Sequence, residues 1–287
     1  MLKKIIKSES GVVGIVVAVL LIGLIVAVVS LIQAVYVPKW MEEREAEHMD
    51  LVVTQFAQLK SAIDTHVAYK NNSAPIVSPI TLGNKELPYL MSLRAYGSLE
   101  ILNNSFNIKI INGSNIRLES FGTIKYSSMN GYFIDQSFIY ENGALITSQR
   151  GIDMNMISMK PSMIIDNTNG DVNITFNMVD ILPVGGKING GGYGTTSILT
   201  EYHDTNPGPT NYTEIHNVSN IIISTSYPNA WKLFMEWSLN KYNVDFNKSE
   251  SGIFNKDVKI TFTNPDNITV KYQKVGIYAQ IGPGWVE

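Results

Sequence analysis

From Val12 to Val29 every residue is apolar or glycine, and after Ser30 and Gln33 the apolar character resumes at Val35, Tyr36 and Val37. As a helix, residues 12–37 span roughly 39 Å at 1.5 Å per residue, against a hydrocarbon core of about 30 Å. The pattern predicts a membrane-spanning helix that tilts or packs against neighbours. Its β-branched residues (Val12, Val13, Ile15, Val16, Val17, Val19) are poor helix formers in water. In lipid, however, a lone segment can satisfy its backbone only as a helix. A cleaved secretory signal fits less well, because its apolar stretch is about 7 to 15 residues long and ends in a small-residue cleavage pattern.

A different period begins beyond Pro38, which lacks an N–H and predicts a kink or short break there. Met49, Val52, Phe56, Leu59, Ile63 and Val67 recur at alternating three- and four-residue steps, one face of an amphipathic helix over about 41–69. The stripe needs a partner, either the rest of the chain or neighbouring stems. The opposite face is charged, and His48 and His66 are placed on a solvated polar side.

Asn71 to Pro75 end the helix with turn residues, and period-two or β-branched runs follow. Candidate strands are 106–111, 116–119, 122–127, 131–134, 138–141, 144–148 and 172–179. Asn142-Gly143 between two apolar runs is a strong hairpin signal. The glycines at 185, 186, 190, 191, 192 and 194 fit no phosphate-binding pattern and predict a flexible loop. A last helix is expected over 228–241, with Pro228 in its first turn and Trp231, Phe234, Met235 and Leu239 on one face. A closing hairpin is read from 258–263 and 268–272, turning at 264–267. The fold class is therefore α+β. Residues 1–11 form a basic leader or cytoplasmic segment, 12–37 the transmembrane helix, 38–70 the stem, and 71–287 a mostly antiparallel, β-rich extracellular domain.

Charge orients the anchor. Lys3, Lys4 and Lys7 precede the apolar run, whereas Glu42, Glu43, Glu45, Glu47 and Asp50 outnumber Lys39 and Arg44 beyond it. The positive-inside rule then puts the N-terminus in the cytoplasm, with Tyr36 and Trp40 at the outer interface. A net charge of -3 gives no basic surface for nucleic acid. The absence of cysteine removes disulfides, thiol nucleophiles and Cys-ligated metals. His203, Asp204 and His216 lie near one another in sequence, but Asn206-Pro207-Gly208-Pro209 reads as a surface turn and the spacing matches no metal motif. With no nucleophile elbow or paired catalytic groups, no enzyme and no cofactor are expected. N-x-[ST] sequons stand at Asn71, Asn103, Asn112, Asn173, Asn211, Asn217, Asn247 and Asn267. Together they suggest an exposed, glycosylated surface, although Asn and Ser also simply populate turns.

The first seventy residues resemble archaeal type IV pilins and pilin-like surface proteins. The resemblance is carried by the Lys-rich leader Met1-Leu2-Lys3-Lys4-Ile5-Ile6-Lys7, the junction Ser8-Glu9-Ser10-Gly11-Val12-Val13-Gly14, and an apolar helix continuing into an amphipathic stem. The stretch from Asn130 to Ala144 is similar to one in pilin-like archaeal membrane proteins. The resemblance implies that a membrane peptidase cuts between Gly11 and Val12 or close by. Subunits would then leave the lipid and bundle their apolar helices with like or related subunits into a filament. The alternative is a permanently anchored surface protein for binding or adhesion that does not polymerise.

Overall fold

The apolar run and the amphipathic stem form one uninterrupted helical rod. The structure, a computed structural model, describes residues 3–70, 74–84, 95–150, 154–203, 212–247 and 256–282, with side chains from residue 12 onward. Helix α1 (Lys3–Leu31) passes through a π turn, Ile32–Tyr36, into α2 (Val37–Tyr69). Pro38 therefore does not break the helix as its chemistry predicted. In a regular helix its ring would crowd the carbonyl four residues earlier. The wider turn relieves this, with Val37 N–H donating to the Ile32 carbonyl five residues back.

The chain then forms β1 (Ile76–Thr81), β2 (Tyr96–Asn112), β3 (Asn115–Met129), β4 (Gln136–Glu141), β5 (Ala144–Gln149), β6 (Asn155–Met159), β7 (Met163–Thr168) and β8 (Asp171–Pro183). It continues with β9 (Asn189–Gly192), β10 (Thr195–His203), β11 (Thr213–Ile215), β12 (Asn220–Ser224), helix α3 (Pro228–Lys241), β13 (Phe246–Asn247), β14 (Asp257–Phe262) and β15 (Ile268–Ile281). One sheet has the order β1-β10-β15-β8-β7, with β11 also on β15. The other runs β13-β14-β12-β2-β3-β4-β5-β6, with β9 also on β2. Among the described residues every strand pair is antiparallel except β8 with β15, which run parallel from Val172↔Ile268 to Pro183↔Ala279. The architecture is α+β, as the patterning indicated.

Two hydrophobic cores lie on either side of the β4–β5 hairpin. Ile139, Ala144 and Ile146 face one core, and Phe138, Tyr140 and Leu145 face the other. A hairpin buried on both faces must be apolar throughout, which is why this stretch reads as an almost continuous hydrophobic run. Its two-residue turn places Asn142 at φ 46° and Gly143 at φ 81°, the left-handed pair that a tight hairpin demands. The first core joins β2, β8, β12, β14 and β15 and is closed by Trp231, Phe234, Met235 and Leu239 of α3. The second is built on α2, whose Met49, Val52, Phe56, Leu59 and Ile63 are buried against both sheets. The stem stripe thus finds its partner within its own chain. Long strands serve both cores by changing face midway. β8 gives Val172, Ile174 and Phe176 to the first core, then Val179 and Ile181 to the second.

Several expectations are corrected. Residues 116–119 and 122–127 belong to one strand, β3. Residues 131–134 are a bend rather than a strand, because their backbone N–H groups point at a stem carboxylate. The glycine-rich stretch is only partly loop. Asn189–Gly192 pairs with β2, and Gly191 lies so close to the Tyr96 ring that a Cβ there would overlap its hydroxyl. The closing hairpin does not exist: β14 pairs with β12 and β13, while β15 crosses to the other sheet after a 3-10 turn, Pro265–Asn267. Helix α3 has the expected bounds and buried face.

Candidate membrane anchor and its junction with the β domain

Across α1 the large apolar side chains from Val12 to Leu31 are 45 % to 68 % exposed, and nothing among the described residues covers them. Among the described residues this is a single helix apolar and long enough to cross a membrane. Fifteen bare, large aliphatic side chains in water would cost far more than a folded protein tolerates, so the segment needs lipid or like helices around it. Tyr36 and Trp40, ring centroids 6.0 Å apart and both exposed, mark the end of the bare section.

Burial begins at once beyond the π turn: Val37 is 3 % exposed and Met41 is fully buried. One turn further, Glu45 is 1 % exposed and accepts three backbone hydrogen bonds. Gly131 N–H donates to Oε1 at 2.9 Å, and Tyr132 and Phe133 N–H donate to Oε2 at 2.7 and 2.6 Å. The carboxylate charge is thereby spread over three fixed dipoles, and α2 is clamped to the β3–β4 loop.

His48 and His66 are buried, contrary to the solvated face expected for them. The Nε2 of His48 lies 3.2 Å from both the Leu82 carbonyl and the Tyr126 hydroxyl. Because Tyr126 O–H also donates to the Leu82 carbonyl at 2.8 Å, that oxygen ties helix, β1 end and β3 together. His66 Nε2 sits 3.1 Å from Thr200 Oγ1 on β10. Burial lowers both imidazole pKa values, favouring the neutral ring. Each stem histidine is a polar peg into a sheet, a role that helical periodicity does not reveal.

A second buried carboxyl lies in the wall between the cores. Glu141 Oε1 accepts from Thr225 Oγ1 at 2.7 Å and from the Trp231 indole N–H at 2.6 Å. Burial raises its pKa from 4.5 to about 7, and the two donors only partly offset this. The folded state therefore binds the extra proton between these values, and stability falls as pH rises from about 4.5 to 7. The histidines act in the opposite sense, their contribution weakening as pH falls below 6.5. The difference between wild type and Glu141→Gln isolates the carboxyl. Denaturant titrations across that window should show wild type losing stability relative to the variant by up to about 1.4 kcal/mol per pH unit. A flat difference curve would mean that Glu141 is ionised throughout.

No protein-family model, curated protein or solved structure matches this chain.

The residues singled out in the sequence fall as follows. Gly11 and Val12 both lie within α1, with Val12 60 % exposed. Asn103, Asn217, Asn247 and Asn267 are exposed, Asn112 and Asn173 are half-buried, and Asn71 and Asn211 lie outside the described residues. Of the histidine cluster, Asp204 lies outside them too. His203 stacks on Tyr278 with ring centroids 4.0 Å apart, whereas His216 bonds Thr269 from the neighbouring strand β11 side. β10 and β11 meet different halves of β15, so the two imidazoles do not share a site. Among the described residues no three His, Asp or Glu side chains converge as a metal would require. A cleft of about 160 Å³ beside α3 is lined by residues such as Lys160, Phe234, Trp237 and Lys241, with no carboxylate or imidazole to act as a base.

Proposed function

We propose that the chain is a non-catalytic, pilin-like structural subunit, held in the membrane by α1 and able to assemble through it with like or related subunits. The observation that carries this reading is the two-part rod, with α1 bare from Val12 to Leu31 and α2 buried in the β domain. Such a helix can exchange lipid for like helices through van der Waals packing while the folded domain rides along unchanged. The lysines before α1 and acidic residues after it favour a cytoplasmic N-terminus and an outer β domain. The exposed sequons would then be available for glycosylation. The junction at Gly11 and Val12 is where a pilin-processing peptidase would act.

The second reading, a fixed surface-binding or adhesion protein, is favoured by one position. Bacterial-type pilins carry a glutamate five residues into the mature helix, and counting from Val12 that position is the apolar Val16. Intact-mass and N-terminal analysis of protein taken from its native membranes separates the two. The pilin reading predicts a mature chain starting at or next to Val12, with any glycans as added mass on sequon peptides. A chain that keeps residues 1–11 throughout, in cells expressing the processing peptidase, would sink it in favour of the fixed anchor.

A further inference from the structure

The lower end of the β domain lies close to where α1 leaves the apolar phase. We propose that this rim, formed by Met129, Ile134, Tyr96 and Tyr193, is a second membrane contact that rests on the lipid headgroups. The proposal depends on reading α1 as the membrane span.

Height along the rod brings the rim to the headgroups. The rod is helical from α1 through α2, so distance along it follows from 1.5 Å per residue. From Trp40, at the end of the bare section, to Glu45 is five residues, or about 7.5 Å. The polar layer on each side of a bilayer is about 5–7.5 Å thick, the difference between a 40–45 Å membrane and its 30 Å core. The Gly131–Phe133 backbone, bonded directly to Glu45, is therefore at headgroup level when the helix is upright, and tilting toward the loop lowers it further. The burial of Val37 and Met41 shows that the protein covers α2 down to its first turn, leaving no long stalk between membrane and domain.

The rim also displays side chains suited to a lipid interface. Met129 is 60 % and Ile134 47 % exposed, flanking the loop that Glu45 holds. Strand pairing sets Tyr96 opposite Met129, and the Tyr193 ring lies edge-on to Tyr96 with centroids 5.6 Å apart. Tyrosines with exposed apolar neighbours suit the membrane interface, where one part of the side chain meets hydrocarbon and the hydroxyl meets water. Arg150, 77 % exposed and only 3.5 Å from Asp135, adds a cation within reach of lipid phosphate. Exposed apolar residues also occur at the opposite end, such as Ile116 in the β2–β3 hairpin. That end is thirteen residues of strand from Met129, roughly 40 Å away, and cannot touch the same bilayer surface.

The chain has no cysteine, so single labels are clean. Met129→Cys, Ile134→Cys, Ile116→Cys and Leu21→Cys, each in the full chain and labelled with an environment-sensitive fluorophore, would be reconstituted in phosphatidylcholine vesicles with a minority of phosphatidylglycerol. Emission loss would be read with a headgroup-nitroxide lipid and with an aqueous collisional quencher. Labels at 129 and 134 should be quenched strongly by the headgroup nitroxide, and the label at 116 by the aqueous quencher alone. If 129 and 134 behave like 116 while 21 is shielded from water by lipid, the rim proposal is overturned and the anchor stands. Should the label at 21 be open to the aqueous quencher, the membrane reading and the rim proposal fall together. Shielding of 129 and 134 from both quenchers, growing with protein density, would reveal contact between copies and overturn the lipid contact.

Discussion

Phe56→Ala should lower the stability of the β domain by about 4 kcal/mol, the middle of the range for removing a buried aromatic side chain. Phe56 is fully buried on α2, with its ring 6.3 Å from Tyr126 and 6.1 Å from Phe138. Those two rings stack on each other at 6.1 Å, so the truncation opens a cavity beneath a fixed pair that cannot collapse into it. A domain of ordinary stability has only about 5–15 kcal/mol in total, so the loss is visible in a urea titration followed by tryptophan emission. Leu51→Ala on the same helix is the control. Leu51 is 46 % exposed, and its truncation should cost less than about 0.5 kcal/mol. Equal effects at 51 and 56 would mean that α2 is not docked as described.

The stripe containing Phe56 was readable because helical periodicity is local, and so were the bounds of α3, with Pro228 at its start. The Asn142-Gly143 turn was readable for the same reason, since its left-handed backbone restricts residue choice within two positions. What failed depended on partners far along the chain. Glu45 and Lys60 look like ordinary charges on an amphipathic helix, yet both are buried. Glu45 is held by a loop 86 to 88 residues away; the Lys60 pair with Asp64 at 2.7 Å is a local (i, i+4) contact, and it is the burial of Lys60 beneath the β domain that its spacing does not show. His66 meets a threonine 134 residues away. Local spacing carries no sign of such contacts.

The sheet errors share that origin. Runs 258–263 and 268–272 are both good strands with a good turn between them, the usual prescription for a hairpin. Tertiary pairing overrides it: Val258 aligns with Ile223 in one sheet, and Ile268 with Val172 in the other. The parallel β8–β15 pair is equally invisible, since each strand shows only its own alternation. β9, made of Asn and three glycines, has the composition of a loop and becomes a strand because only glycine lets the backbone pass under Tyr96. The bare helix needed no long-range information at all, because length and apolar composition alone mark a segment as able to cross a membrane.

Glu45→Ala should cost about 3 kcal/mol or more, through a mechanism different from that of Phe56. The substitution leaves the Gly131, Tyr132 and Phe133 N–H groups facing the space the carboxylate filled. Each unpaired buried donor costs about 1–3 kcal/mol, reduced to the extent that water can enter from the exposed side of the loop. Glu45→Gln offers little rescue, because both carboxylate oxygens accept and an amide must turn its NH₂ toward at least one of the three donors. Glu42→Ala, on the exposed side of the same helix, should be near neutral. Hydrogen exchange reports the local event directly. In Glu45→Ala the amides of 131–133 should lose protection first, while those of β3 near the His48–Leu82–Tyr126 contact stay slow until global unfolding. Unchanged protection at 131–133 would show that the loop holds its shape without the stem. Loss of protection confined to it would show that one carboxylate near the start of α2 fixes the base of the domain against the helical rod.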